Sequence, residues 1–254
     1  MSSRPPRPPL RTAMLVGLFV LIGVALSCGS IIAFFEIVGS NPEVQAQVRG
    51  TATAEVAILL TAQAETNRNV ARLDAAEVVL AETFDGPATP LRLDPAGLRE
   101  GAYQAVYDLT GFQFMPWTEP LTDFAAEVDC KITGGNGACG LFFGGQPRAE
   151  GEGYDYHAFY LTAAGYGYET LPPGGQPASA TGTTDALLPG DWNHVLVVRL
   201  DNLVWYTLND DEVEHLILDE PALVTGAIGL IGGLLDEGAP AEVAFDNFVL
   251  RRIP

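Results

Sequence analysis

Glu127 and Asp129 stand two residues apart in the stretch DFAAEVDCKI. On an extended strand such neighbours share a face, about 6.6 Å apart along the chain. Paired carboxylates on one face are the raw material of glycosidic-bond cleavage, where one carboxyl protonates the leaving oxygen and the other serves as nucleophile or base. Lys131 follows on the same face. Such a row of alternate polar residues is also what the solvent side of a strand looks like. The histidines suggest no metal centre, because His157, His194 and His215 fall in three separate stretches with no pair at ligand spacing. His157 shares its parity with Phe159 and Leu161, which makes it a hydrogen-bonded histidine of a core or a sheet edge. There is no G-x-S-x-G, no P-loop and no G-x-G-x-x-G opening a helix, and the pieces GGNG and LPPGGQP read as turns.

Recognition of a sugar asks for exposed rings that stack on its faces, with carboxylate or amide groups nearby. Trp117, Tyr154, Tyr156, Tyr160 and Trp205 are candidates by parity or loop position, and Tyr166 and Tyr168 share one face of the next strand. Aromatic residues are favoured in sheets on packing grounds alone, so the same side chains also suit core or rim positions. Cys130 and Cys139 fall on the presumed inward face, the first with Val128 and Ile132, the second with Leu141 and Phe143. A short hairpin loop between them would set them almost opposite each other on adjacent strands. A disulfide is one expectation and two buried thiols the other, with an extracellular setting favouring the first.

These residues sit in a chain region made of short alternating segments. GAYQAVY, DFAAEVDCKI, ACGLFFG, YDYHAFYLT, GYGYETL, NHVLVVRL, LVWYTLN, EVEHLIL, GAIGLIGG and AEVAFDNFVLRR each read as a strand, separated by Gly, Pro, Asn and Asp. No helix of ten or more residues interrupts them. Many short strands at near-regular spacing predict an all-β sandwich or barrel over residues 80–254, large enough to bury a two-sheet core. Asn209 and Asp210 in LNDDEV tolerate the left-handed conformations of a tight turn.

The N-terminal part has another texture. Residues 1–12 form a Pro-rich leader with Arg4, Arg7 and Arg11 and no acidic residue. Residues 13–38 are expected to form a transmembrane helix. The twenty-three residues from Ala13 to Phe35 are uncharged, and about 1.5 Å of rise per residue carries them across a bilayer. The basic flank favours a cytoplasmic N-terminus and an extracytoplasmic C-terminal domain. ALSC, ending at Cys28, is a poor match to a lipidation site because the apolar run continues beyond it. Residues 39–79 read as a helical stalk with a weak stripe of Val56, Leu59, Val70 and Leu73, capable of weak self-association, or as a linker. The chain carries a net charge of −19, and residues 82–254 hold seven basic and twenty-six acidic side chains. That surface repels phosphate backbones and argues against a nucleic-acid partner.

The order of motifs resembles the bacterial branch of the concanavalin A-like (laminin-G/glucanase superfamily) jelly rolls. It runs ETFDG, DFAAEVD, GLFFG, YDYHAFYLT with GYGYETL, DWNHVLVVRLDNLVWYTLND, TGAIGLIGG and EVAFDNFVLRR, across roughly residues 80–254. The resemblance implies two antiparallel sheets with ligands on a concave face or at rim loops. Its glucanases use E-x-D-x-E, and here Lys131 replaces the last carboxylate, which removes a group the mechanism needs. Asp85 and Asp246 would lie in neighbouring terminal strands of such a fold and are the candidate calcium ligands, with Asp210, Asp211 and Glu212 as a second acidic loop. The expected function is a membrane-anchored, non-catalytic recognition module for glycan or protein outside the cell. A carbohydrate-active hydrolase and a structural subunit of an envelope complex are the alternatives.

Overall fold

The computed structural model describes residues 64–254 except 65, 87–88, 92, 95–96, 100, 149–152 and 219–222. The expected leader, membrane segment, Cys28 and most of the stalk lie outside the described residues. Among the described residues no helix is long and apolar enough to cross a membrane. The chain divides into two compact units at Ala71/Arg72, and all the strands belong to the second. Residues 66–74 are helical.

Burial on one or both faces builds fourteen strands. They are β1 (Glu77–Glu82), β2 (Leu98–Arg99), β3 (Ala102–Tyr107), β4 (Gly111–Leu121), β5 (Phe124–Gly134), β6 (Gly137–Pro147) and β7 (Tyr154–Thr162), followed by β8 (Gly165–Leu171), β9 (Ala178–Gly182), β10 (Asn193–Leu200), β11 (Leu203–Leu208), β12 (Asp211–Ile217), β13 (Gly226–Leu234) and β14 (Ala241–Arg252). One sheet runs β12-β11-β10-β5-β14-β3-β2, with β1 also paired to β14, and the other runs β4-β13-β6-β7-β8-β9. Every strand pairing within them is antiparallel. The ten strands expected from alternation all form, and the all-β two-sheet sandwich is the observed architecture.

The main core lies between the sheets. Phe124, Ala126, Val128 and Cys130 of β5 meet Leu141, Phe143, Phe159 and Leu161 of β6 and β7 there. Val204, Tyr206 and Leu208 of β11 join them, as parity requires. Asn209 and Asp210 adopt φ values of 50° and 73°, the left-handed turn that LNDD was expected to make between β11 and β12.

The two cysteines do form a disulfide, with Cα atoms 6.2 Å apart, but not across a hairpin. β5 belongs to the larger sheet and β6 to the smaller, so the bond ties one sheet to the other through the core. The connection at Gly135-Asn136 carries the chain from one layer to the other. Gly135 adopts φ +63°, and a Cβ there would come within 2.4 Å of the Pro240 carbonyl oxygen. Alternation shows which face a side chain occupies but not which strand lies beside it, and that is why a hairpin was expected here.

Arg72 clamps the ends of this unit. It pairs with Asp123 and, at 3.3 Å, with Asp201, and its Nε donates to the Pro254 carbonyl at 2.8 Å. The Asp201 amide donates to the Asp123 carboxylate at 2.8 Å.

Candidate functional site

Each sheet has an outer face, and the two faces differ in chemistry. On the larger sheet, Glu127 and Asp129 are held in a network. Register puts His194 of β10 directly beside Asp129. His194 Nδ1 lies 3.0 Å from Asp129 Oδ1 and its Nε2 lies 3.5 Å from Glu127 Oε2. Arg251 Nη2 reaches Glu127 Oε1 at 2.9 Å, and Asn247 Nδ2 donates to Asp129 Oδ2 at 2.8 Å. Asn247 is aimed by a bulge in β14, where its φ is +54°. Asp129 is only 4 % exposed, so the expectation that these carboxylates line a solvent face is corrected. They are structural ion-pair partners, recruited from strands that sequence order keeps far apart.

The charges are tuned accordingly. Burial alone would lower the His194 pKa, but the hydrogen bonds and charges of Asp129 and Glu127 raise it to about 9. Burial pushes the Glu127 carboxyl up, and His194 and Arg251 outweigh that and hold it below the usual carboxylate range. Glu127 is therefore not poised as an acid near neutrality. Lys131 follows on the same strand face, as expected.

The outer face of the smaller sheet is aromatic. Phe142 of β6 and Tyr156, Ala158 and Tyr160 of β7 form a second cluster with Ala138, Ala227 and Ile231, and Phe112, Phe114, Tyr154, Leu171 and Leu235 pack onto it. The Phe114 centroid lies 5.1 Å from Phe142, 5.4 Å from Tyr154 and 4.9 Å from Tyr156, while Phe112 lies 5.0 Å from Tyr160. Rings from β4 reach over β13 because Gly229 and Gly233 leave room. A Cβ on Gly229 would sit 2.1 Å from the Met115 carbonyl oxygen, and one on Gly233 would sit 2.2 Å from that of Gly111. Gly167 similarly makes way for Tyr160, whose ring carbon would be 2.5 Å from an added Cβ.

One carboxylate lies among these rings. Glu169 of β8 is opposite Ala158, and the Tyr156 hydroxyl donates to its Oε1. Burial first, then this acidic neighbour, raises the Tyr156 pKa, so the phenol stays a donor. Tyr160 is raised for the same two reasons in the same order. Phe112, Phe114, Tyr154 and Glu169 are half-buried and form the accessible rim, whereas Tyr156 and Tyr160 are the buried floor. The face therefore offers ring edges and faces beside one fixed hydrogen-bond acceptor.

The five aromatic candidates do not converge. Tyr154, Tyr156 and Tyr160 share this face. Trp117 packs against the core between the sheets, and its buried Nε1 finds no partner among the described residues. Trp205 lies on the outer side of the larger sheet, paired in register with Val198 and His215. Tyr166 and Tyr168 point inward. Phe112, Phe114 and Glu169 were missed. The alternation in GYGYETL sets Glu169 opposite in parity to its tyrosines, and that was the available signal.

His157 is a core histidine, 2 % exposed, with Nδ1 2.8 Å from Thr170 Oγ1 and its ring stacked on Phe143. Asp85 is exposed in the turn after β1, and Asp246 of β14 is in register with Asp129. Among the described residues no group of three or more His, Cys, Asp or Glu side chains is disposed to hold a metal ion. Residues 210–212 supply a hairpin turn rather than a cage, and Glu212 instead lies 3.1 Å from His215 Nδ1.

No known family profile matches the chain. No curated protein sequence matches it. Solved structures do. A Bacillus subtilis protein of unknown function with a galectin-like fold matches with a TM-score of 0.52 and 12% identity, over 70% of this chain and 98% of that one. The fold is galectin-like. The laminarinase catalytic domain of Thermotoga maritima matches with a TM-score of 0.51 and 11% identity, over 70% and 99% of the two chains. An endo-β-galactosidase from Clostridium perfringens that releases GlcNAcα1-4Gal matches at 0.50 and 9%, over 69% and 62%. These likenesses show the fold, an antiparallel two-sheet sandwich.

Proposed function

We propose that this chain is a non-catalytic glycan-recognition module displayed on the outer side of a membrane. The observation that carries the reading is the ring-lined outer face of the smaller sheet, with Glu169 held by Tyr156 on its rim. Aromatic rims stack on the apolar faces of sugars, and an oriented carboxylate accepts from their hydroxyls. The similar structures include a laminarinase and an endo-β-galactosidase, which agrees with a fold suited to carbohydrate. The non-catalytic part of the proposal rests on Glu127 and Asp129. Both are engaged by His194, Arg251 and Asn247, and Lys131 stands where a third carboxylate would be needed. The display part rests on the uncharged run 13–35 beneath a basic leader. A disulfide through the core suits an oxidising compartment.

The test is a glycan array probed with the full-length chain in detergent. Tyr154→Ala and Glu169→Gln should each weaken retention of the bound glycan about tenfold, the equivalent of about 1.4 kcal/mol. Trp205→Ala, on the other sheet, should leave it unchanged. Equal retention by all three variants would refute this site. Polysaccharide turnover by the native chain, abolished by Glu127→Gln, would overturn the non-catalytic assignment.

A further inference from the structure

Sheet edges expose unpaired backbone groups, and proteins guard them with charge, proline or brevity. Three of the four edges here are guarded in one of these ways. β12 carries Asp211, Glu212 and Glu214; β4 carries Pro116, Pro120 and Glu119; and at the remaining end of the larger sheet β2, on β3, is two residues long while β1, on β14, opens with Glu77. The fourth edge is β9, with the sequence ASATG, and although Pro177 precedes it the strand itself holds no charge and no proline. It pairs with β8 and with no other strand among the described residues. The fourteen residues 171–184 contain no charged side chain, although residues 82–254 hold twenty-six acidic ones.

We propose that β9 is a self-association edge, at which a second copy of this chain adds its own β9 antiparallel. A two-fold axis near Ala180 would place Ala178 opposite Gly182 of the partner subunit, small against small, with no like charges facing. Everywhere else two chains of net charge −19 repel, so the neutral edge is where two copies can approach. A foreign strand is less well served. Strand addition draws its specificity from pockets for alternate side chains. On the inner face beside β9, Tyr166 and Tyr168 are already packed into the core, with the Tyr166 ring lying where a Cβ on Gly182 would be. On the outer face Ser179 and Thr181 are flanked by Glu169 and Gly167, which form no groove. Joining the edges would merge two six-stranded sheets into one of twelve strands and set two aromatic faces side by side. Five paired residues bury less than a permanent dimer needs, so the association is reversible.

Sedimentation of the full-length chain in mild detergent, across a concentration series, should show a monomer–dimer equilibrium. The double variant Ser179→Lys/Thr181→Lys should raise its dissociation constant at least tenfold with an unchanged unfolding midpoint. Thr181→Pro, which removes an amide on the free edge, should act in the same direction. Amide hydrogen exchange in residues 178–182 should slow as protein concentration rises. A dimer that survives the lysine pair, or a monomer at every concentration, overturns the proposal. Glycan retention should persist in Thr181→Pro, which adds no charge beside Glu169, the residue opposite Ser179.

Discussion

His194 and His157 are displaced from the usual histidine range in opposite directions, and together they set a pH optimum. His194 titrates near 9 in the folded chain because its bonds to Asp129 and Glu127 outweigh its burial. Its stabilising contribution is fully present below about pH 6.5 and is lost as pH rises through 9. His157 is lowered to about 4, first by burial and then by the nearby Arg199 charge. Between pH 6.5 and 4 the unfolded chain takes up a proton that buried His157 refuses, so stability falls as the solution is acidified. Loss of the depressed Glu127 carboxylate adds to that acid limb. Stability should therefore peak near pH 6.5. In urea titrations from pH 4 to 9, His194→Gln should flatten the alkaline limb and His157→Gln the acid limb between 6.5 and 4. An unchanged alkaline limb in His194→Gln would disprove the assignment.

Central strands were legible and, β12 apart, edge strands were not. The ten segments found by alternation include every central strand of both sheets, because burial on one or both faces imposes the pattern that reveals them. The four strands missed, β1, β2, β4 and β9, all lie at edges. β4 hides behind Pro116 and Pro120, which an edge tolerates, and β9 behind small residues of low strand propensity. That omission also hid half of the aromatic face, since Phe112 and Phe114 ride on β4. Their reach depends on Gly229. Gly229→Ala would push a methyl against the Met115 carbonyl, part β4 from β13 and cost about 1–3 kcal/mol. Chemical denaturation would read that loss, and glycan retention should fall with it although no ring has been altered. The cysteines teach the complementary lesson. Parity placed them facing inward correctly, while their pairing depended on the layer change at Gly135-Asn136, which no periodicity records.

At the scale of the molecule, the chain's acidity and its site are separable. Twenty-six acidic residues in residues 82–254 create a field that disfavours anionic ligands, so the proposed glycan face should take neutral sugars better than sulfated or uronic ones. Salt should narrow that preference by screening. The entry and exit of the sandwich also lie side by side. Glu77 at the start of β1 faces Arg252 at the end of β14, and Arg72 binds the carbonyl of Pro254. The polypeptide thus closes almost into a ring, and the position of its ends within the fold is a matter of connectivity rather than architecture. A circular permutant, with residue 254 joined by a short linker to residue 72 and the chain reopened in the turn at Gly174-Gly175, should fold with the native near-ultraviolet circular dichroism. Any tether now attached before β1 could then be moved, at the same end of the sandwich, from the larger sheet to the rim of β9 in the smaller one.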